Sequence, residues 1–161
     1  MTIVPIDTIP LSEEAPTDDL MKLYSVCTKM EQLCLKENGI GLSAVQVGIP
    51  WKLFLINSPR TLKFEYYVNC EYTPVGDNKK SSIEGCLSIK NLKNECVRYS
   101  VERYEKARIK GWQLDTSGET PYLNKISFIK KGKESIVFQH EIDHHNNILI
   151  SEIGTPLEVW N

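Results

Sequence analysis

The chain holds 161 residues, 41% hydrophobic and 25% charged, which suits one globular domain spanning 1–161 and excludes a disordered acidic chain or a collagen-like one. Nineteen basic against twenty-one acidic side chains leave a net charge of −2, so no global positive field argues for DNA or RNA as a specific partner. No apolar run approaches the roughly 18–20 residues of a membrane span, and the acidic start (Asp7, Glu13, Glu14, Asp18, Asp19) reads as neither signal nor transit peptide, so the expected location is the cytoplasm with no membrane contact.

Residues 1–16 are rich in Pro and Ile without a clear period. After Thr17-Asp18-Asp19, good helix-start residues, Leu20, Leu23, Cys27, Met30 and Cys34 step by three and four, which predicts an amphipathic helix closed by Asn38-Gly39. Cys27 and Cys34 fall on its inner face and read as packing residues. With five cysteines, an odd number, in a chain of this size, reduced thiols are expected rather than a disulfide framework.

Gly39-Ile40-Gly41-Leu42-Ser43-Ala44-Val45-Gln46 follows, a small-residue stretch that reads by itself as a helix cap and packed turn. It lacks the Lys-Ser/Thr ending of a nucleotide loop and is no phosphate cradle. Lys52 to Ile56 and Tyr66 to Cys70 suit strands, and Val75 to Ser82 reads as a polar turn. Val97, Tyr99 and Val101, then Ala107, Ile109 and Gly111, alternate with polar residues, and Asp115-Thr116-Ser117-Gly118 supplies a turn, so an antiparallel sheet is expected. From Glu134 to Asn147 the pattern becomes helical, with Val137, His140, Glu141, His144 and Ile148 on one side. Helices and antiparallel strands without βαβ alternation define an α+β class.

All three histidines, His140, His144 and His145, lie within that last helix. Gln139-His140-Glu141-Ile142-Asp143-His144 contains His-Glu-x-x-His, whose two imidazoles sit one helical turn apart and can reach one divalent ion. Glu141 is then placed to take a proton from a water at that ion. A catalytic ion of this kind takes three protein ligands and keeps one position open, so a third ligand is needed. Cys86, in Glu84-Gly85-Cys86-Leu87-Ser88, is the best candidate, although its own neighbourhood reads equally as a core cysteine beside a turn glycine.

Taken in order, the segments Gly39 to Gln46, Glu84 to Ser88 and Gln139 to His144 closely resemble the three signature segments of the peptide deformylase family. Leu11, Ala15 and Pro16 also match the family's opening, and Arg98 an arginine that often follows the second segment. The resemblance implies antiparallel sheets packed around a central metal-binding helix, and removal of the N-formyl group from the formyl-methionine of new polypeptides, with release of formate. It implies one divalent ion on Cys86, His140 and His144, most often Fe²⁺, with Zn²⁺, Ni²⁺ or Co²⁺ able to substitute. Glu141 becomes the general base; the Gln46 side chain and the Leu87 backbone N–H become the oxyanion donors. Gly41 and Gly85 would line the approach of an extended peptide, and Ile40, Leu42, Ile136, Val137 and Tyr99 are candidates for contact with the methionine.

Several positions depart from the family pattern: Ser43 stands for the commoner alanine, Ile89-Lys90 for a segment with proline, and His145 and Asn147 for leucine and glycine. His145 points about 100° away from His144 on a helix, toward solvent or a contact around the site. Tyr122 to Glu134 is Lys-rich where small residues are usual, and Lys79-Lys80 and Lys130-Lys131-Lys133 read as solvated surface. The last ligand is followed by 161 − 144 = 17 residues, fewer than the long C-terminal helix with which bacterial members dock on the ribosome, so a truncated, phage-like form is expected. The expected partners are N-formylmethionyl nascent peptides, with transient ribosome contact at most, and the expected state is a monomer. A metallopeptidase would need a third His or Glu downstream; an inactive binding protein or a redox thiol would leave the intact Glu141 and the spaced histidines unexplained.

Overall fold

A computed structural model describes residues 1–157. Helix α1 (Leu20–Lys36) is followed by strands β1 (Gly41–Ser43), β2 (Leu53–Asn57), β3 (Phe64–Pro74), β4 (Lys79–Glu84), β5 (Tyr99–Tyr104), β6 (Lys106–Asp115) and β7 (Tyr122–Lys131). Helix α2 (Gly132–His145), a single turn α3 (Ile150–Ile153) and a two-residue strand β8 (Thr155–Pro156) complete it. The strands form a five-stranded sheet, β1-β2-β3-β6-β7, and a three-stranded sheet, β4-β5-β8, and every pairing is antiparallel. The α+β class read from the sequence is the class observed.

Strand β2 is covered on both faces, and this explains why it reads Leu-Phe-Leu-Ile instead of alternating with polar residues. Leu53 and Leu55 face Leu23, Cys27, Met30 and Cys34 of α1, while Phe54 and Ile56 face Phe138 and Ile142 of α2. Cys27 and Cys34 are fully buried packing residues, as expected, and burial pushes both thiols up to about 12. Helix α1 is capped by Asp19, the last residue of the expected start signal, whose carboxylate accepts a hydrogen bond from the Lys22 N–H.

Two expectations change. The polar stretch Val75 to Ser82 is a turn only in its first half, because Lys79 to Glu84 form β4. β4 is an edge strand whose residues 79–83 are mostly exposed, and edge exposure removes the apolar signal by which strands are recognised. The Lys-rich stretch is the edge strand β7, which leads directly into α2 at Gly132, with φ +56°. Helix α2 thus begins two residues earlier than its apolar period suggests, and Ile148 lies beyond its end.

Helix α2 lies between the two sheets, and a buried glutamine ties it to the smaller one. Gln139 Nε2 donates to the Tyr104 carbonyl at 2.8 Å, and its Oε1 accepts from the Tyr104 N–H at 3.1 Å. The side chain therefore acts as an extra backbone partner for the end of β5, holding the metal-ligand helix in register with that sheet. Replacing Gln139 by leucine removes the partner of the part-buried Tyr104 N–H, and urea unfolding is expected to show a loss of about 1–3 kcal/mol with an unchanged m-value.

Candidate metal centre

Each ligand rests on a different local device. His140 and His144 lie one turn apart on α2, with ring centroids 5.1 Å from each other. Cys86 follows the end of β4 at Gly85, so the thiol is delivered from the smaller sheet. The ligand atoms of Cys86, His140 and His144 all lie within 4.8 Å of one another, and Cys86 Sγ is 3.6 Å from His144 Nε2. Burial holds His144 well below the usual imidazole range, which keeps it neutral as a ligand must be. One Glu141 oxygen is buried without a hydrogen-bond partner among the described residues. One soft thiolate, two imidazoles and a spare carboxylate oxygen fit a four-coordinate divalent ion with one open position.

Around the ligands runs a network that sequence reasoning did not assign. Glu84 Oε1 lies 2.8 Å from His140 Nδ1, so that nitrogen donates to the carboxylate and Nε2 is left for a metal. Arg103 grips the same carboxylate with two bonds, 2.9 Å from Nε and 2.8 Å from Nη2, and reaches Asp143 Oδ2 from Nη1 at 2.6 Å. Tyr72 donates to the other Asp143 oxygen at 2.9 Å. Burial alone would raise the Glu84 carboxyl, but the bonds from Arg103 and His140 outweigh it and hold it down at about 2. Glu84 and Asp143 stood inside the motif segments without a role. Arg103 carried a signal of its own: two residues after buried Val101 on β5, it shares that residue's inward face, where an arginine needs carboxylates.

Glu141 is almost fully buried, and burial, with His140 acting against it, pushes its carboxyl up to about 7. Space for it exists because residue 41 is glycine: a Cβ there would sit 2.6 Å from Glu141 Oε1 and 3.1 Å from the Leu55 carbonyl. Gln46 is equally fixed. Its Oε1 accepts from the Ser43 N–H at 2.9 Å, so Nε2 is the end that points toward the centre, donating to Ser88 Oγ at 2.9 Å and approaching Cys86 Sγ at 3.4 Å.

These groups line a cavity of about 610 Å³ with Ile40, Gly41, Gly85, Leu87, Ile136 and Val137. Leu42 is not part of it. On a strand, Gly41 and Ser43 face α2, so Leu42 faces the other way and is fully buried under α1. Tyr99 packs beside Ile89 and Val101 in a separate apolar cluster and does not line the cavity either.

The departures from the family pattern prove to be accommodated in the structure. Ser43 Oγ lies 3.0 Å from His145 Nε2 and donates to the Glu141 carbonyl at 3.1 Å, so the two unusual residues contact each other. His145 does not reach solvent: it is buried against Phe54, and burial lowers its imidazole to about 4. Asn147 takes φ +58° in the last-turn position where glycine is usual, a conformation asparagine tolerates. Lys90 pairs with Glu37 at 2.7 Å.

A buried His₂Cys centre carried by a central helix between antiparallel sheets, with a carboxylate beside it, defines a metallohydrolase of the α+β class. The polypeptide deformylase family model matches residues 5–158. Peptide deformylase of Helicobacter acinonychis is 32% identical over 148 residues, covering 86% of this chain and 75% of that protein. The Plasmodium falciparum peptide deformylase, solved in complex with an inhibitor, is 31% identical with a TM-score of 0.76 and covers 96% of this chain and 89% of its own. A probable peptide deformylase from Synechococcus phage S-SSM7 shares the fold, with a TM-score of 0.78 at 24% identity, over 94% of this chain and 98% of its own. The chain belongs to the peptide deformylase family, and its reaction is removal of the N-formyl group from nascent polypeptides.

Arg103→Leu leaves Glu84 and Asp143 buried without their counter-charge. Stability is expected to fall by about 3–5 kcal/mol, since an uncompensated buried charge is the costly case. Metal affinity, read by chelator competition, should fall about 10–100-fold through the freed His140 ring.

Proposed function

We propose that Glu141 is the proton carrier of the deformylation, and that the Gln46 side chain and the Leu87 backbone N–H hold the negative charge that develops on the formyl oxygen. The observation that carries this reading is the convergence, at one cavity, of a buried carboxylate with a spare oxygen, an amide whose Nε2 is aimed because the Ser43 N–H holds its Oε1, and the ligands Cys86 and His140 with His144 beside them. Cys86, His140 and His144 would hold a ferrous ion, for which Zn²⁺, Ni²⁺ or Co²⁺ can substitute, and when bound it supplies Lewis acidity that polarises the formyl group and acidifies water.

A carboxyl raised toward neutrality is suited to both halves of the proton transfer: Glu141 accepts a proton from the attacking water and later delivers it to the leaving amine. Gln46 is held rigid before the substrate arrives, so its N–H needs no reorganisation as charge builds. The peptide itself would lie extended between the free edges of β1 and β4, its backbone passing Ile40, Gly41 and Gly85, where missing side chains allow close approach. Ile40, Ile136 and Val137 supply an apolar wall for the methionine, and Leu42, expected to touch substrate, instead supports β1 from beneath. The enzyme acts in the cytoplasm as a monomer, with formyl-methionyl nascent chains as substrates and only transient ribosome contact.

Glu141→Gln keeps the shape of the side chain and removes the base. The variant is expected to bind one metal equivalent while formate release falls about 10²–10⁴-fold; turnover within a few-fold of the parent would overturn the assignment. Gln46→Ala should lower kcat about 10²–10³-fold and leave KM close to its original value.

A further inference from the structure

Helix α1 covers only part of its face of the five-stranded sheet. It packs over Tyr66 and Val68 of β3 and Trp112 and Leu114 of β6. Beyond Trp112 the same face is open to solvent. Alternation along β6 puts Lys106, Arg108 and Lys110 on this face, opposite in phase to buried Ala107 and Ile109. The β6–β7 register sets Lys131 across from Lys106 and Lys125 across from Trp112, on the same side.

Five cations therefore share one flat surface, and the acid at its register positions is Glu71 of β3, across from Lys110. Among the described residues none of the five forms an ion pair. This is a local field of one sign on a chain whose net charge is −2. Directly opposed like charges, as at Lys106 and Lys131, destabilise a sheet. Lysines on an edge strand can be explained as protection against edge-to-edge aggregation, and that covers Lys125 and Lys131 of β7. It does not cover the three cations of β6, an interior strand paired on both sides.

We propose that this face binds the phosphate backbone of RNA without sequence preference. Side chains at i and i+2 on a strand repeat at roughly 7 Å, close to the separation of successive phosphates on an RNA strand, so Lys106, Arg108 and Lys110 can meet consecutive phosphates. RNA is favoured over other polyanions because the substrates are nascent chains, made on a particle whose surface is largely RNA; this choice rests on the deformylase reading. The face is turned away from α2, and none of its five cations lines the cavity, so a bound backbone leaves the cavity mouth open.

The test uses the metal-loaded protein and a fluorescein-labelled single-stranded RNA, followed by anisotropy between about 50 and 200 mM salt. Five phosphate contacts predict a slope of log K against log salt of about −3.5, and K106Q/K110Q/K131Q is expected to bind at least about tenfold more weakly, with the slope reduced by about 2. Turnover of a free formyl-methionyl tripeptide by that variant should stay within about twofold of the parent, because none of the three residues lines the cavity. No binding by the parent at low salt, or equal binding by the variant, overturns the proposal, as does binding to phosphatidylserine vesicles without binding to RNA. Loss of tripeptide turnover in both proteins with RNA binding intact would strike at the deformylase reading and leave this surface supported.

Discussion

The arrangement of the site depends on one buried guanidinium. Arg103, on the central strand of the smaller sheet, holds Glu84 of the neighbouring strand and Asp143 of α2 at the same time. Its two carboxylates come from the two segments that also carry the metal ligands, two residues before Cys86 and one before His144. Fixing Arg103 therefore fixes the thiol, both imidazoles and, through Glu84, the orientation of the His140 ring. Desolvating one cation and two anions is expensive, and geometry offsets it: bidentate bonding on one side, a short bond on the other, and Tyr72 on the remaining Asp143 oxygen.

Packing supplies the second level of positioning. Helix α2 is buried on the larger sheet by Phe138 and Ile142 and fastened to the smaller one by Gln139. From the other side, the turn after β1 brings Gln46 to the centre, and Gly41 leaves room for Glu141. The pair Ser43 and His145 joins these two parts directly, and it does so with residues that differ together from the family pattern. Its hydrogen bond gives Nε2 of the buried imidazole a partner where leucine would otherwise pack, while Nδ1 has none among the described residues.

Much of this was legible in the residues. The His-Glu-x-x-His spacing located α2 and two ligands, and the order of the three segments pointed to Cys86, which its own neighbourhood could not. The fold class followed from periodicity. What failed has physical reasons: β4 is an exposed edge strand with no apolar pattern, and Leu42, a candidate for contact with the methionine, is sent by strand alternation to the opposite face. For His145 helix geometry gives an angle but not what lies there, which leaves solvent and a contact around the site both open; Phe54 and Ser43 occupy that direction. The Arg103 network needed two strands and a helix to be brought together, and only the inward phase of Val101 and Arg103 hinted at it. The lysines of β6 and β7 are far apart in the sequence, and their adjacency exists only in the register of the hairpin.

The most direct test of the account is formate release from a short formyl-methionyl peptide by protein reconstituted with Ni²⁺, with bound metal measured on the same sample and a chelator-stripped sample in parallel. The account predicts one metal ion per chain, formate produced in step with deformylated peptide, loss on stripping and recovery on adding metal back. A folded protein that carries its metal and releases no formate would contradict it.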